Sequence, residues 1–296
     1  MANQGTSETS RSEASRAETS KVDPSKAGES LLSGVGGSAL HAYRLSGALL
    51  LTLISAYKSS SAPGDGAREV CRALTVRQIF YTSFQALSMI SIVALFVGAT
   101  LTAQSELLGG PLQRETAGRV LVTVIVRELA PLITAIIVAG RSGTAIATEI
   151  GVMRVNSEIL ALASLGIDPP RFIVWPRIVS TTVSVPLLTI YFSTMAVLGG
   201  FIALFFIDAH AVAEFRSGAV MGLSVVDLPL VVVKTVGLGG LIGWICSYYG
   251  FEVGSSPTEV PQKASKAVVQ SLMACIIYNA VITMAFYGLL VGGRLQ

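Results

Sequence analysis

Three charged residues stand where charge is expensive: Arg127, Glu128 and Lys234 each interrupt a long apolar run. An ionised side chain at the centre of a membrane helix costs roughly 2.5–3.5 kcal/mol even on the lowest insertion scales, so such groups face a partner or a wet cavity rather than acyl chains. Neighbouring residues on a helix point about 100° apart, so Arg127 and Glu128 cannot neutralise each other face to face, and each is expected to have a separate partner. Two readings follow, interhelical bonds that hold a bundle or groups that line a polar cavity. Other chemistry is poorly served. The two histidines, His41 and His210, are far apart in sequence and fall on opposite sides of the expected topology, which argues against a catalytic pair or metal site. Cys71, Cys246 and Cys275 have no metal-ligand spacing and read as small apolar side chains. No G-x-x-x-x-G-K-[ST] occurs, so the chain does not cradle nucleotide phosphates in the Walker manner. No catalytic residue, metal or cofactor is expected in this chain, and ATP hydrolysis is expected in a partner.

The elements that carry these charges are membrane helices. Of the 296 residues, 52% are hydrophobic and 13% charged, against about 25% charged in soluble domains. A spanning helix needs about 20 mostly apolar residues. Three stretches between charges meet this plainly, 78–105, 178–207 and 267–293, and two more are interrupted, 120–140 by Arg127 and Glu128 and 228–251 by Lys234. The expected fold is all-α, a polytopic membrane protein of five transmembrane helices preceded by N-terminal interfacial helices, with a short helix in the loop 141–170. With the N-terminus inside, the cytoplasmic segments hold 15 of the 21 Lys and Arg and the outer segments four, which favours a cytoplasmic N-terminus and an external C-terminus. The net charge of +3 is too small to suggest nucleic acid. A secondary transporter or channel not driven by ATP is the rival class, although five unequal spans without a detectable repeat fit it poorly.

Residues 1–40 read as a disordered cytoplasmic tail, because Ser, Thr, Ala, Glu and Lys dominate it and cannot offset the entropy of ordering. It matches neither a secretory signal nor a transit peptide. Residues 41–77 read as an interfacial helical segment. Leu45–Tyr57 is too short to span comfortably, and Arg68 and Arg72 lie one turn apart in a stretch that suits either the anionic leaflet surface or a charged lead-in to the first span. In the loop 141–170, Asn156 or Ser157 can cap a helix carrying Ile159, Leu160, Leu162 and Leu165, which Gly166 ends and Pro169–Pro170 prevents from continuing. Its apolar stripe packs either on the chain's own membrane helices or on a cytoplasmic partner. Glu149 and Arg154 flank Gly151 nearby, placed to brace that helix, to anchor at the membrane surface or to meet a partner. Gly237, Gly239, Gly240 and Gly243 form a surface suited to tight helix contact.

The run RELAPLITAIIVAGRSGTAIATEIGVMRVNSEILALASLGIDPPRFIVWPR, residues 127–177, closely resembles the signature region of the MlaE family of ABC permeases, whose members move phospholipids or related lipids between membranes. The resemblance extends over roughly residues 75–290, through Phe96, Gly98 and Gln104 in the first span and Asp227, Lys234 and Tyr248–Tyr249–Gly250 in the fourth. It departs at Ala130, where the family usually has glycine, at Ser142, where valine is usual, and at Asn279, where many members carry aspartate. The first two exchange small residues and preserve close packing; the third removes a membrane charge. The resemblance implies a permease domain over 78–296 in the bacterial inner membrane and two paired copies of the chain. It further implies a cytoplasmic ABC ATPase contacted through Glu158, Ile159 and Leu162, a periplasmic MCE-domain lipid-binding protein and, in some systems, a STAS-domain partner. It also implies that Arg127, Glu128 and Lys234 line a lipid cavity between the copies, where their net charge of +1 suits an anionic phosphate headgroup.

Overall fold

The structure, a computed structural model, describes residues 65–109, 114–167, 169–207, 211–222 and 227–292, and the regular structure among these is entirely helical. The expected tail 1–40, the stretch Leu45–Tyr57 and Gln296 lie outside the described residues. Helix α1 runs Asp65–Gly109. A second rod follows, α2 (Arg114–Val124), α3 (Ala130–Val138) and α4 (Thr144–Val155), joined without a break by π-wound turns at Ile125–Leu129 and Ala139–Gly143. Then come the short α5 (Glu158–Ser164), α6 (Trp175–Ile207, entered through a π-wound turn at Pro170–Val174), α7 (Ala211–Gly222), α8 (Asp227–Phe251) and α9 (Glu259–Gly292). Five stretches are long and apolar enough to cross a membrane: Thr75–Glu106, Gly118–Val155, Phe172–Ile207, Leu228–Phe251 and Glu259–Gly288.

Two boundaries differ from the sequence reading. Residues 68–77 belong to α1, with no proline between Asp65 and Gly109 to interrupt it. This stretch is therefore a lead-in continuous with the first span rather than a separate surface helix. The second span does not stop near residue 140 but stays helical to Val155. Glycine has low helix propensity, yet at Gly140 and Gly143 tertiary packing overrides it. Gly143 lies directly against the Cys246 sulfur, while Ile146, Ala147, Ile150 and Gly151 are buried as α4 packs on α8 and α9. Thr144 and Thr148 turn their hydroxyls back onto the carbonyls of Gly140 and Thr144 at 2.8 and 2.7 Å, so they expose no unmet donor.

The short helix ends as expected. Gly166 adopts φ +74°, its N–H donates to Ala163 O at 3.0 Å, and Ile167 N–H donates to Leu162 O at 3.1 Å, the paired bonds of a Schellman close. Its start differs. Ser157 holds the cap position with φ 59° but makes no side-chain cap bond, and Asn156 Nδ2 instead donates to Glu158 Oε1 at 3.2 Å.

Between membrane helices no hydrophobic gain drives association, so close backbone packing and polar bonds must hold them. α1 and α6 pack side by side: a Cβ on Gly98 would run into the Ala196 carbonyl, and one on Gly199 into the Leu95 backbone. Ser83 Oγ donates to Ser184 Oγ at 3.0 Å, and Ser91 shares a 2.7 Å bond with Tyr191 across the same seam. In α8, Gly239 and Gly243 admit the backbone of α6 and Gly237 admits the Tyr278 hydroxyl, so three of the four span-four glycines serve close contact, whereas Gly240 has looser surroundings.

A methyl group separates these cases experimentally. Gly98→Ala should destabilise the detergent-purified protein by about 3 kcal/mol, the upper end of usual overpacking, because backbone rather than a flexible side chain must move. Gly140→Ala, which meets nothing within 4 Å, should be neutral or stabilising by up to ~1 kcal/mol. Thermal unfolding of both variants beside wild type checks the contrast.

Candidate functional site

The π-wound turn Ile125–Leu129 carries Arg127 and Glu128 within the second span, nearer its Gly118 end. Such turns widen the coil and recur at functional positions. Across from it, Lys234 of α8 is completely buried, 0% exposed, although a lysine is almost never fully buried unless paired. Its ammonium donates to Glu128 Oε1 at 2.8 Å and to the Arg127 carbonyl at 3.1 Å. Of the three sequence-selected charges, the structure thus joins Glu128 to Lys234, and Arg127 meets Lys234 through its backbone. The Arg127 side chain is half-buried.

α9 completes the cluster. Asn279 Nδ2 donates to Glu128 Oε2 at 3.3 Å. Thr283 Oγ1 lies 3.3 and 3.2 Å from the two Glu128 oxygens and 2.8 Å from the Asn279 carbonyl. With a single hydroxyl proton, Thr283 serves the carboxylate or the carbonyl, one at a time. Asn279 Oδ1 is buried without a hydrogen-bond partner. Aspartate at that position would offer no donor, so the neutral amide here suits a carboxylate already held by lysine. The Glu128 side chain remains 33% exposed. The lysine of the pair is sealed in the bundle and the carboxylate is partly open.

The other sequence-selected residues lie at the far end of the rod. In α5, Glu158 is exposed, Ile159 is only 8% exposed and Leu162 is half-buried. The apolar groups that α5 presents outward are Leu160 and Leu165, 71% and 74% exposed. The spacing marks all four as apolar but does not say which side has protein beneath it. Glu149 pairs with Arg177 at the start of α6 at 2.9 Å, and Arg154 is exposed. Arg177, Arg141 and Arg77 were not singled out by sequence reasoning, because they come from separate segments and converge only on folding.

Comparison with known proteins gives a consistent result. Residues 75–285 match the family model described as Permease MlaE. A probable ABC transporter permease protein of Rickettsia prowazekii is 31% identical over 220 residues, covering 73% of this chain and 83% of the relative. The intermembrane phospholipid transport system permease protein MlaE of Haemophilus influenzae is 27% identical over 219 residues, covering 73% and 83%. The chloroplastic protein trigalactosyldiacylglycerol 1 of Arabidopsis thaliana is 28% identical over 215 residues, covering 72% of this chain and 61% of its own length.

The two sides of α5 can be told apart by thiol labelling after Cys71, Cys246 and Cys275 are replaced with alanine. In the purified chain, the Leu160→Cys variant should react with a small maleimide at least tenfold faster than the Ile159→Cys variant. Equal rates would mean that the helix is not seated as described.

Proposed function

Because the chain belongs to the MlaE permease family, we propose that it is the membrane-spanning subunit of an ABC transporter that moves phospholipid or a related lipid between membranes, powered by a separate ATPase subunit. The observation that carries this reading is the family match over the five-span core. The names of the relatives from Haemophilus influenzae and Rickettsia prowazekii, a phospholipid transport permease and an ABC permease, point the same way. The chain works as a pair of copies in the bacterial inner membrane, with its N-terminus cytoplasmic and its C-terminus periplasmic. A periplasmic MCE-domain protein exchanges lipid with it, and in some systems a STAS-domain protein joins the ATPase.

Arg127 and Glu128 line the lipid cavity between the copies. Both are partly exposed within the second span, where a charge facing acyl chains would be costly, so a polar cavity suits them. Lys234, sealed behind Glu128, holds the carboxylate in place. At the cytoplasmic end α5 docks on the ATPase through Glu158 and the outward Leu160 and Leu165. Ile159 and Leu162 face the chain's own bundle and carry motion from the docked helix into the spans.

Two sets of variants test this in liposomes containing the chain, its ATPase and a fluorescent phospholipid. Arg127→Gln, and the paired exchange Lys234→Met with Glu128→Gln, should assemble normally while ATP-driven lipid transfer falls at least tenfold. Leu160→Asp should lower the yield of complex with the ATPase at least tenfold, because a charge would be desolvated without a partner. Normal transfer in the first set removes the cavity role, and normal assembly of Leu160→Asp removes the docking role. Lipid movement by the chain alone on an ion gradient would replace the whole reading with a secondary carrier.

A further inference from the structure

A second polar site lies away from the Glu128 cluster. The start of the first span, the end of the second and the entry to the third enclose a cleft of about 620 Å³, within the usual range of ligand sites. Three arginines from three segments line it, Arg77, Arg141 and Arg177, against one carboxylate, Glu149. The cleft therefore carries an excess of two positive charges. Apolar side chains, among them Met153, Ile173 and Leu162 of α5, make up the rest of the wall.

Each arginine is held in place. Arg77 stacks over the Tyr81 ring, 5.6 Å from its centroid, and Arg141 Nη2 donates to Gln85 Oε1 at 3.3 Å. Both remain exposed. Arg177 is only 12% exposed. Its Nη2 donates to Glu149 at 2.9 Å, but its Nη1 is buried and has no hydrogen-bond partner. A buried guanidinium nitrogen without an acceptor is costly. The planar fork of arginine suits the oxygens of a phosphate.

We propose that this cleft binds the headgroup of an anionic phospholipid, with the phosphate against the three arginines and the glycerol end along the apolar wall. Basic pockets between helices at the cytoplasmic surface are suited to such headgroups. Placing the cleft on the cytoplasmic leaflet rests on the orientation proposed above; the binding chemistry does not. Because Leu162 forms part of the wall, occupancy would bear directly on α5, giving the transporter a means to respond to the anionic lipid content of its own membrane.

The test reads binding rather than transport, so it reports on the cleft even in a chain that moves no lipid. Trp175 adjoins the wall residue Pro176, and its fluorescence can follow titration of the full-length chain in detergent with dioctanoyl phosphatidylglycerol. Saturable binding is expected, and Arg77→Gln with Arg141→Gln should weaken it roughly 25-fold at fixed ionic strength, about fivefold for each basic residue removed. Each single variant should show about fivefold, with the melting temperature unchanged because both side chains are exposed. Unchanged affinity in the double variant would overturn the proposal, as would equal binding of dioctanoyl phosphatidylcholine. Inorganic phosphate binding as tightly as the lipid would overturn the lipid as ligand and identify a free-anion site instead, because the apolar wall would then add nothing.

Discussion

The arrangement of the second, fourth and fifth spans depends on one constraint, that a lysine ammonium closed off inside an apolar bundle needs an anion beside it. Lys234 is fully buried, and Glu128 meets it at 2.8 Å. Removing water from an ion costs several kcal/mol, and the attraction repays this only where geometry is close and the remaining polar atoms are satisfied. Here the Arg127 carbonyl takes a second ammonium proton, and α9 supplies Asn279 and Thr283 to the carboxylate. Three spans distant in sequence are thereby tied at one point. The π-wound turn at Ile125–Leu129 sets where Glu128 and the Arg127 carbonyl fall along the rod.

Elsewhere the bundle is held by shape. The first and third spans approach through Gly98 and Gly199, and hydroxyls in mid-span are satisfied locally, as Thr189 and Thr235 are by the carbonyls four residues earlier. These contacts are short-range and uncharged, whereas the Glu128–Lys234 pair places a fully buried ammonium inside the bundle, where a change of charge has structural consequences. The partly exposed side of Glu128 is the geometric basis of the cavity role proposed for it.

Much of this was legible in the sequence for definite physical reasons. The five spans follow from the spacing of charges, and the run 127–177 carries a family signature that the match over 75–285 bears out. The Schellman close at Gly166 follows from glycine at a left-handed position. The partner of Lys234 was not legible, since Glu128 lies 106 residues away and periodicity does not say which helices are neighbours. The helix beyond Gly140 was hidden because local propensity points to a break, whereas Gly143 packs on Cys246 in a distant span. For α5, periodicity found the apolar residues but could not distinguish inward Ile159 from outward Leu160 and Leu165.

A double-mutant cycle on Lys234 and Glu128 tests the central interaction most directly, read as unfolding free energy of the purified chain in mixed micelles. Glu128→Gln leaves the buried Lys234 ammonium without its anion and should cost up to about 3–5 kcal/mol. Lys234→Met leaves the partly exposed Glu128 to Asn279 and Thr283 and should cost less, and the two together should be nearly neutral. A coupling energy of at least about 2 kcal/mol is the expected result. Additive losses would contradict the account, because the two side chains would then not depend on each other.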